Sequence, residues 1–247
     1  MDGWRLANRA TRKMPRLAGS TVAAAALVGL LEAYLGQFIL KGSFPPSLEM
    51  IAARLVQIGV PQLVWASCAI AVHRFVLLGE VADRYIWQTP PQFWRFFDRL
   101  MVIQLIMQLP ALVLFSSPAL AGLNQALLYG FGVVCIIVLV RSMLLFPAVA
   151  TDAPGAGWRN AWRDSKGRGW RLFRVAFCLA VPAMLISVGV LVLGVTFSGL
   201  RVLVMPLSPW GLVHTCLAQV ITAALICAAA AAASRLYQAF GAALTRA

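Results

Sequence analysis

A carboxyl group inside an apolar run is the first feature that could do chemistry. Glu32 is the one charged residue between Leu17 and Leu40, and an intramembrane acid either serves a proton or ion path or is neutralised by a cation or by protonation. Lys41 and Arg54 are the cations near it in sequence, and this structural role is the stronger expectation. Gln104 and Gln108 stand at i and i+4, so one helix face carries two carboxamides that can bond a neighbouring helix or line a polar path. His73 and His214 are the only histidines. They are expected at opposite membrane faces, with no Cys or acid at ligand spacing, so neither a metal or haem centre nor a Ser-His-Asp set is expected. The five cysteines, Cys68, Cys135, Cys178, Cys216 and Cys227, all lie in apolar runs without a C-x-x-C pair and read as small buried hydrophobes. No enzyme activity and no cofactor follow from this inventory.

A second constellation is "WRNAWRDSKGRGWRLFR", residues 158–174, with three tryptophans and six cations. As a helix, Trp158, Ala161, Trp162 and Ser165 share one face, and Arg159, Arg163 and Lys166 form an adjacent stripe. Indole rings favour the headgroup level and cations reach toward phosphate or water, which predicts an interfacial amphipathic helix. "KGRG" then breaks the chain, and Arg168, Trp170 and Arg171 lead into the next apolar run. "PPQFWRFFDRLM" repeats the design, with Phe93, Phe96, Phe97, Leu100 and Met101 opposite Arg95, Asp98 and Arg99, and with Trp94 at the boundary. No G-x-x-x-x-G-K-[ST] phosphate loop is present.

These groups need elements to hold them, and composition says which. Hydrophobic residues make up 61% of the 247 residues, charged residues 12%, and mean hydropathy is +0.83, far from ordinary soluble usage. Six stretches reach the length of about 20 residues that crosses a bilayer: roughly 17–40, 55–78, 100–118, 123–146, 175–200 and 212–233. The third and fourth must be separate, because no charge falls between Leu100 and Val140 and one helix of that length would be about 61 Å long. "SSPALAGLNQ" supplies the turn residues between them. The basic N-terminus "MDGWRLANRATRKMPR" precedes a run too long for a cleaved signal, so it is read as leading into a retained first span. The Ala228–Ala233 tract, Gly29 and Gly36 offer small surfaces for close helix approach.

The loops of this six-span layout divide the 21 Lys and Arg as 18 to 3, with only Lys41, Arg54 and Arg201 on the poorer side. Cations favour cytoplasmic loops, so both termini are expected in the cytoplasm of a bacterial inner membrane. The formal net charge of +13 thereby follows topology and excludes a nucleic-acid reading. Anionic lipid headgroups on the cytoplasmic side are the expected partners. Trp4-Arg5-Leu6, Trp94-Arg95-Phe96 and Trp170-Arg171-Leu172 precede the odd-numbered spans. A threefold hairpin repeat or the general boundary preference for aromatics and cations accounts for them, and the second needs less.

"HRFVLLGE" and "RSMLLFPAVATDAPGAGWRNAWRDSKGRGWRLF" resemble segments of uncharacterised polytopic bacterial inner-membrane proteins. The layout also resembles the membrane region attached to some glycerophosphodiester phosphodiesterases. The resemblance implies a six-helix bundle. It does not carry over phosphodiesterase activity, because the hydrolytic barrel of those enzymes needs about 250 further residues. The expectation is therefore an all-α integral membrane bundle of six transmembrane helices with two cytoplasmic amphipathic interfacial helices, acting as a non-enzymatic scaffold or partner-binding protein. A small transporter using Glu32, Gln104 and Gln108 is the alternative.

Overall fold

The computed structural model describes residues 2–40, 48–82, 91–116, 121–198 and 207–245, and every regular element among them is a helix. In chain order they are α1 (Asp2–Lys13), α2 (Pro15–Leu40), α3 (Leu48–Leu78), α4 (Pro91–Ser116), α5 (Ala121–Ser142), α6 (Leu145–Ala150), α7 (Trp158–Asp164), α8 (Gly169–Ser198) and α9 (Pro209–Phe240). Four are long and apolar enough to cross a membrane by length and composition: α2 over Pro15–Gly36, α3 over Ile51–Leu78, α8 over Gly169–Thr196 and α9 over Pro209–Phe240.

Local sequence explains several boundaries. Pro15 and Pro209 each open a helix, where a missing N–H costs nothing, and Ser208 Oγ accepts from Gly211 N at 3.0 Å as the N-cap of α9. Pro61 and Pro182 lie inside α3 and α8 without ending them, as apolar surroundings tolerate when neighbours re-satisfy the backbone. α4 ends and α5 begins on either side of residues 117–120, which lie outside the described residues together with Lys41, Arg84, Arg201 and Arg246.

α9 is the hub, packed against α1, α2, α3 and α8, while α4 joins α3 to α5 and α5 touches α8. Small residues permit the close seams. A Cβ placed on Gly29 would come within 2.7 Å of the Cys216 Cα, so α2 crosses α9 almost backbone to backbone. On Gly3 it would meet the Ala228 carbonyl and the Ala232 Cβ at 3.1 Å, which is how α1 docks on the alanine tract.

The sequence missed α1 as an element. Its Ala7, Ala10 and the following Met14 are buried while Arg5, Arg9, Arg12 and Lys13 are exposed, so this basic leader is itself an amphipathic helix with its small face on the bundle. Large apolar side chains are left exposed on all the long helices and are most numerous on α8, among them Leu185, Ile186 and Leu193. Such a surface suits lipid.

Candidate functional site

The best-packed part of the molecule is one end of the bundle, where α3 finishes, α4 starts, α9 finishes and residues 143–168 fold between them. Phe96, Leu144, Leu145, Leu172, Leu244 and His73 are all fully buried here. α6 is the wedge. Its Leu145, Pro147, Ala148, Val149 and Ala150 are buried, packed against α3, α4 and α9, with Phe146 tilted on Phe96 at 5.1 Å between ring centroids. The fourth span was expected to run to about residue 146; instead the helix ends at Ser142 and residues 145–150 form a separate buried helix. Its apolar run, too short to be a span by itself, is hidden by protein.

Polar anchors hold the wedge. Arg74 grips Glu80 with two bonds of 2.7 and 2.8 Å and also donates to the Ala150 carbonyl at 3.2 Å and to Gln92 Oε1 at 3.4 Å. One guanidinium thus ties the ends of α3 and α6 to the start of α4, a geometry an ammonium cannot reproduce. Arg95 pairs with Asp152, which follows α6 in the left-handed region at φ 56, a conformation Asp tolerates better than most residues. His73 Nδ1 lies 2.8 Å from Ser234 Oγ, and that hydroxyl also donates to the Ala230 carbonyl at 2.9 Å. With one hydroxyl proton available, both bonds form only if Nδ1 carries the imidazole proton.

α7 and the segment after α9 are held by a second anchor. Asp164 is buried, and its carboxylate accepts from the backbone N–H of Ala243 at 2.9 and 3.0 Å and of Leu244 at 3.1 Å. Arg168 donates to the Phe240 carbonyl at 3.5 Å and its guanidinium lies 4.6 Å from the Phe240 ring, a cation placed at the end of a helix whose last carbonyls need partners. Asp164 escaped the sequence reading because an acid among six cations looks like part of a solvated face. Its one signal is position: three residues after Ala161, it shares the buried side of α7.

The outward face carries the expected aromatics and cations. Trp162 and Trp170 are 42% and 69% exposed, and Trp94 is 51% exposed. Arg141 lies over the Trp162 ring at 4.6 Å and Arg99 over Trp158 at 5.8 Å, while Trp158 itself leans on the core. Arg159, Arg163, Lys166, Arg168, Arg171 and Arg174 are exposed. α7 is only seven residues long, and its Ala161 and the following Ser165 face the protein. The expected helix over 158–166 therefore uses half of its apolar stripe for packing. The stripe over 93–101 belongs to the first turns of α4, where Phe93 and Phe96 are buried in protein. Apart from Arg54, every described Lys and Arg belongs to this end or to the α1–α2 elbow beside it. Among the described residues the ion pairs here are Arg74–Glu80, Arg95–Asp152 and Arg99–Asp98, so most of these cations are left to face outward.

Family models, curated proteins and solved structures give no match to this chain.

The polar groups expected within the membrane fall on separate seams. Glu32 accepts a hydrogen bond from Gln219 Nε2 across the α2–α9 seam, one turn beyond the Gly29 crossing. Lys41, one expected partner, lies outside the described residues; Arg54, the other, bonds Gln57 at 3.0 Å. Gln104 and Gln108 are half-buried on α4, a helix that packs against α3, α5 and α6. The three side chains share no seam. Gln219 was missed in the sequence because a lone carboxamide in an apolar run gives no clue to which helix it meets. The cysteines are free; Cys68, Cys135 and Cys227 are buried, whereas Cys178 is exposed and Cys216 half-buried. Among the described residues no group of three or more His, Cys, Asp or Glu side chains could hold a metal ion.

Proposed function

We propose that this is a six-span inner-membrane protein, with α4 and α5 as the third and fourth crossings, whose rigid basic end rests on the anionic cytoplasmic leaflet and serves there as a non-enzymatic scaffold. The observation that carries the reading is the belt of exposed Trp94, Trp162 and Trp170 interleaved with outward-facing cations on the most tightly packed part of the fold. α4 and α5 run 26 and 22 residues, or about 39 and 33 Å; the apolar part of α4, residues 100–116, covers about 25 Å of the roughly 30 Å of hydrocarbon, with the charged first turns at the headgroup level. α8 and α9 run 30 and 32 residues, about 45 and 48 Å, so they overhang the hydrocarbon and carry the packed end into the headgroup region.

Each cation near an anionic surface contributes about 1 kcal/mol, and stacking on an indole holds a guanidinium at the ring's depth. The placement of Glu32 on a helix–helix bond favours a structural role for it over a translocation path. Quenching of tryptophan fluorescence by brominated lipids tests the proposal. In proteoliposomes of mixed phosphatidylglycerol and phosphatidylcholine, brominated phosphatidylglycerol should quench more strongly. Replacing Arg159, Arg163, Lys166 and Arg171 with Gln should remove that preference. Equal quenching by the two lipids in the unmodified protein would defeat the reading.

A further inference from the structure

Beside the basic end, a partly open apolar pocket of about 130 Å³ runs between the α1–α2 elbow, α3 and α9. Met14, Leu17 and Val22 line one wall, Val72 and Cys68 the second, and Val220, Ala224 and Cys227 the third. Its size is close to that of engineered apolar cavities of about 150 Å³ that admit benzene, and such spaces stay dry and favour apolar occupants. The pocket is not uniformly apolar. Thr21 lines it, is 4% exposed, and its Oγ1 has no hydrogen-bond partner of good geometry; its polar neighbour is the Cys68 thiol, a weak partner. A buried hydroxyl left this way carries an uncompensated desolvation cost, which an arriving acceptor would relieve.

The surroundings identify the occupant. Arg12, Lys13 and Arg16 are exposed on the same elbow whose Thr11, Met14 and Ala18 line the pocket. Arg16 stands about 7.5 Å along α2 from Thr21 and about 140° round it, so its long side chain approaches headgroup depth from the flank of the slot. Arg235 lies three turns of α9 beyond Ala224 on a similar face and is also exposed. Cations at the rim, a weakly partnered donor below them and an apolar slot below that match the order of groups along a phospholipid.

We propose that this pocket seats the glycerol-proximal segment of one acyl chain of an anionic phospholipid, a few methylenes long, with its headgroup on Arg12, Lys13 and Arg16 and an ester carbonyl accepting from Thr21. The proposal rests on the membrane reading above and adds a discrete site to the general surface attraction. Native mass spectrometry tests it on the full chain, released in mild detergent from vesicles of equimolar dioleoyl phosphatidylglycerol and dioleoyl phosphatidylcholine. One phosphatidylglycerol should be retained per chain. Ala224→Phe and Val22→Phe, which fill the slot, should lower retention at least about tenfold, the loss expected from about 1.4 kcal/mol. Val22 is 48% exposed, so its variant leaves the fold intact, which an unchanged melting temperature verifies. Arg12→Gln, Lys13→Gln and Arg16→Gln together should abolish the choice of phosphatidylglycerol over phosphatidylcholine while a lipid is still held. No retained lipid, or retention in a folded Val22→Phe protein equal to that of the parent, would overturn the proposal. Failure of the wider reading looks different: equal quenching by brominated lipids in the bilayer, with Val22-sensitive retention unaltered.

Discussion

Asp164 is the side chain on which the packed end depends most. Its carboxylate satisfies two backbone donors beyond α9, and hydrogen bonds to a charged group contribute about 1.5–3 kcal/mol each. Asp164→Ala should release the segment from Gly241 onward, lower the melting temperature in detergent and make the C-terminus sensitive to carboxypeptidase; unchanged resistance would show that the anchor is dispensable. Glu32 gives the opposite expectation. Glu32→Gln keeps a side-chain oxygen for the Gln219 amide, so the melting temperature should change little, and flux measured in proteoliposomes should be the same for parent and variant. Flux of an ion or metabolite that vanishes in Glu32→Gln would restore the transport alternative. The sequence made both candidates visible in different degrees. Glu32 stands out because apolar neighbours isolate it, yet its partner lies 187 positions away. Asp164 is hidden by the cations around it, since burial is decided by what α9 brings to the other side of α7.

At the level of elements, the α2–α9 seam is set by glycine. Gly29→Leu has no room, because the Cys216 backbone lies where its Cβ would stand; α2 must shift, taking the Glu32–Gln219 bond with it. Overpacking of this kind costs about 1–3 kcal/mol, readable as a lowered melting temperature. Gly19→Ala, with nothing within 4 Å of the added Cβ, should be neutral or slightly stabilising, as expected from helix propensity. Equal effects of the two changes would contradict the crossing. The small-residue signal was legible: Gly29 and the Ala228–Ala233 tract both lie in close seams. α1 and α6 were not. Gly3, Ala7, Ala10 and Met14 share a face at helical spacing, but surrounding arginines made the segment look like a solvated leader. α6 resumes the apolar run of α5 after Arg141 and Ser142, and only the turn at Met143 and Leu144 separates the two helices.

Across the whole molecule, tight packing and positive charge coincide. The fully buried side chains gather where the arginines and exposed tryptophans are, whereas α8 presents apolar side chains outward along its length. This suits a rigid end at a polar boundary and loosely packed helices solvated by lipid chains, which supply no hydrophobic drive for tighter association. Composition announced an all-helical fold with long apolar helices, because hydrocarbon thickness sets the length of any such run. The lipid pocket had no sequence signal, since its walls come from three separated helices. The decisive measurement is the side of the membrane on which the basic end lies. With the five native cysteines replaced by Ala, a single cysteine at Arg159 on α7 or at Ser208 before α9 can be labelled with a membrane-impermeant maleimide. The position-159 variant should react only in inside-out vesicles and the position-208 variant only in intact cells. Labelling of both from the same side, or of position 159 in intact cells, would contradict the arrangement.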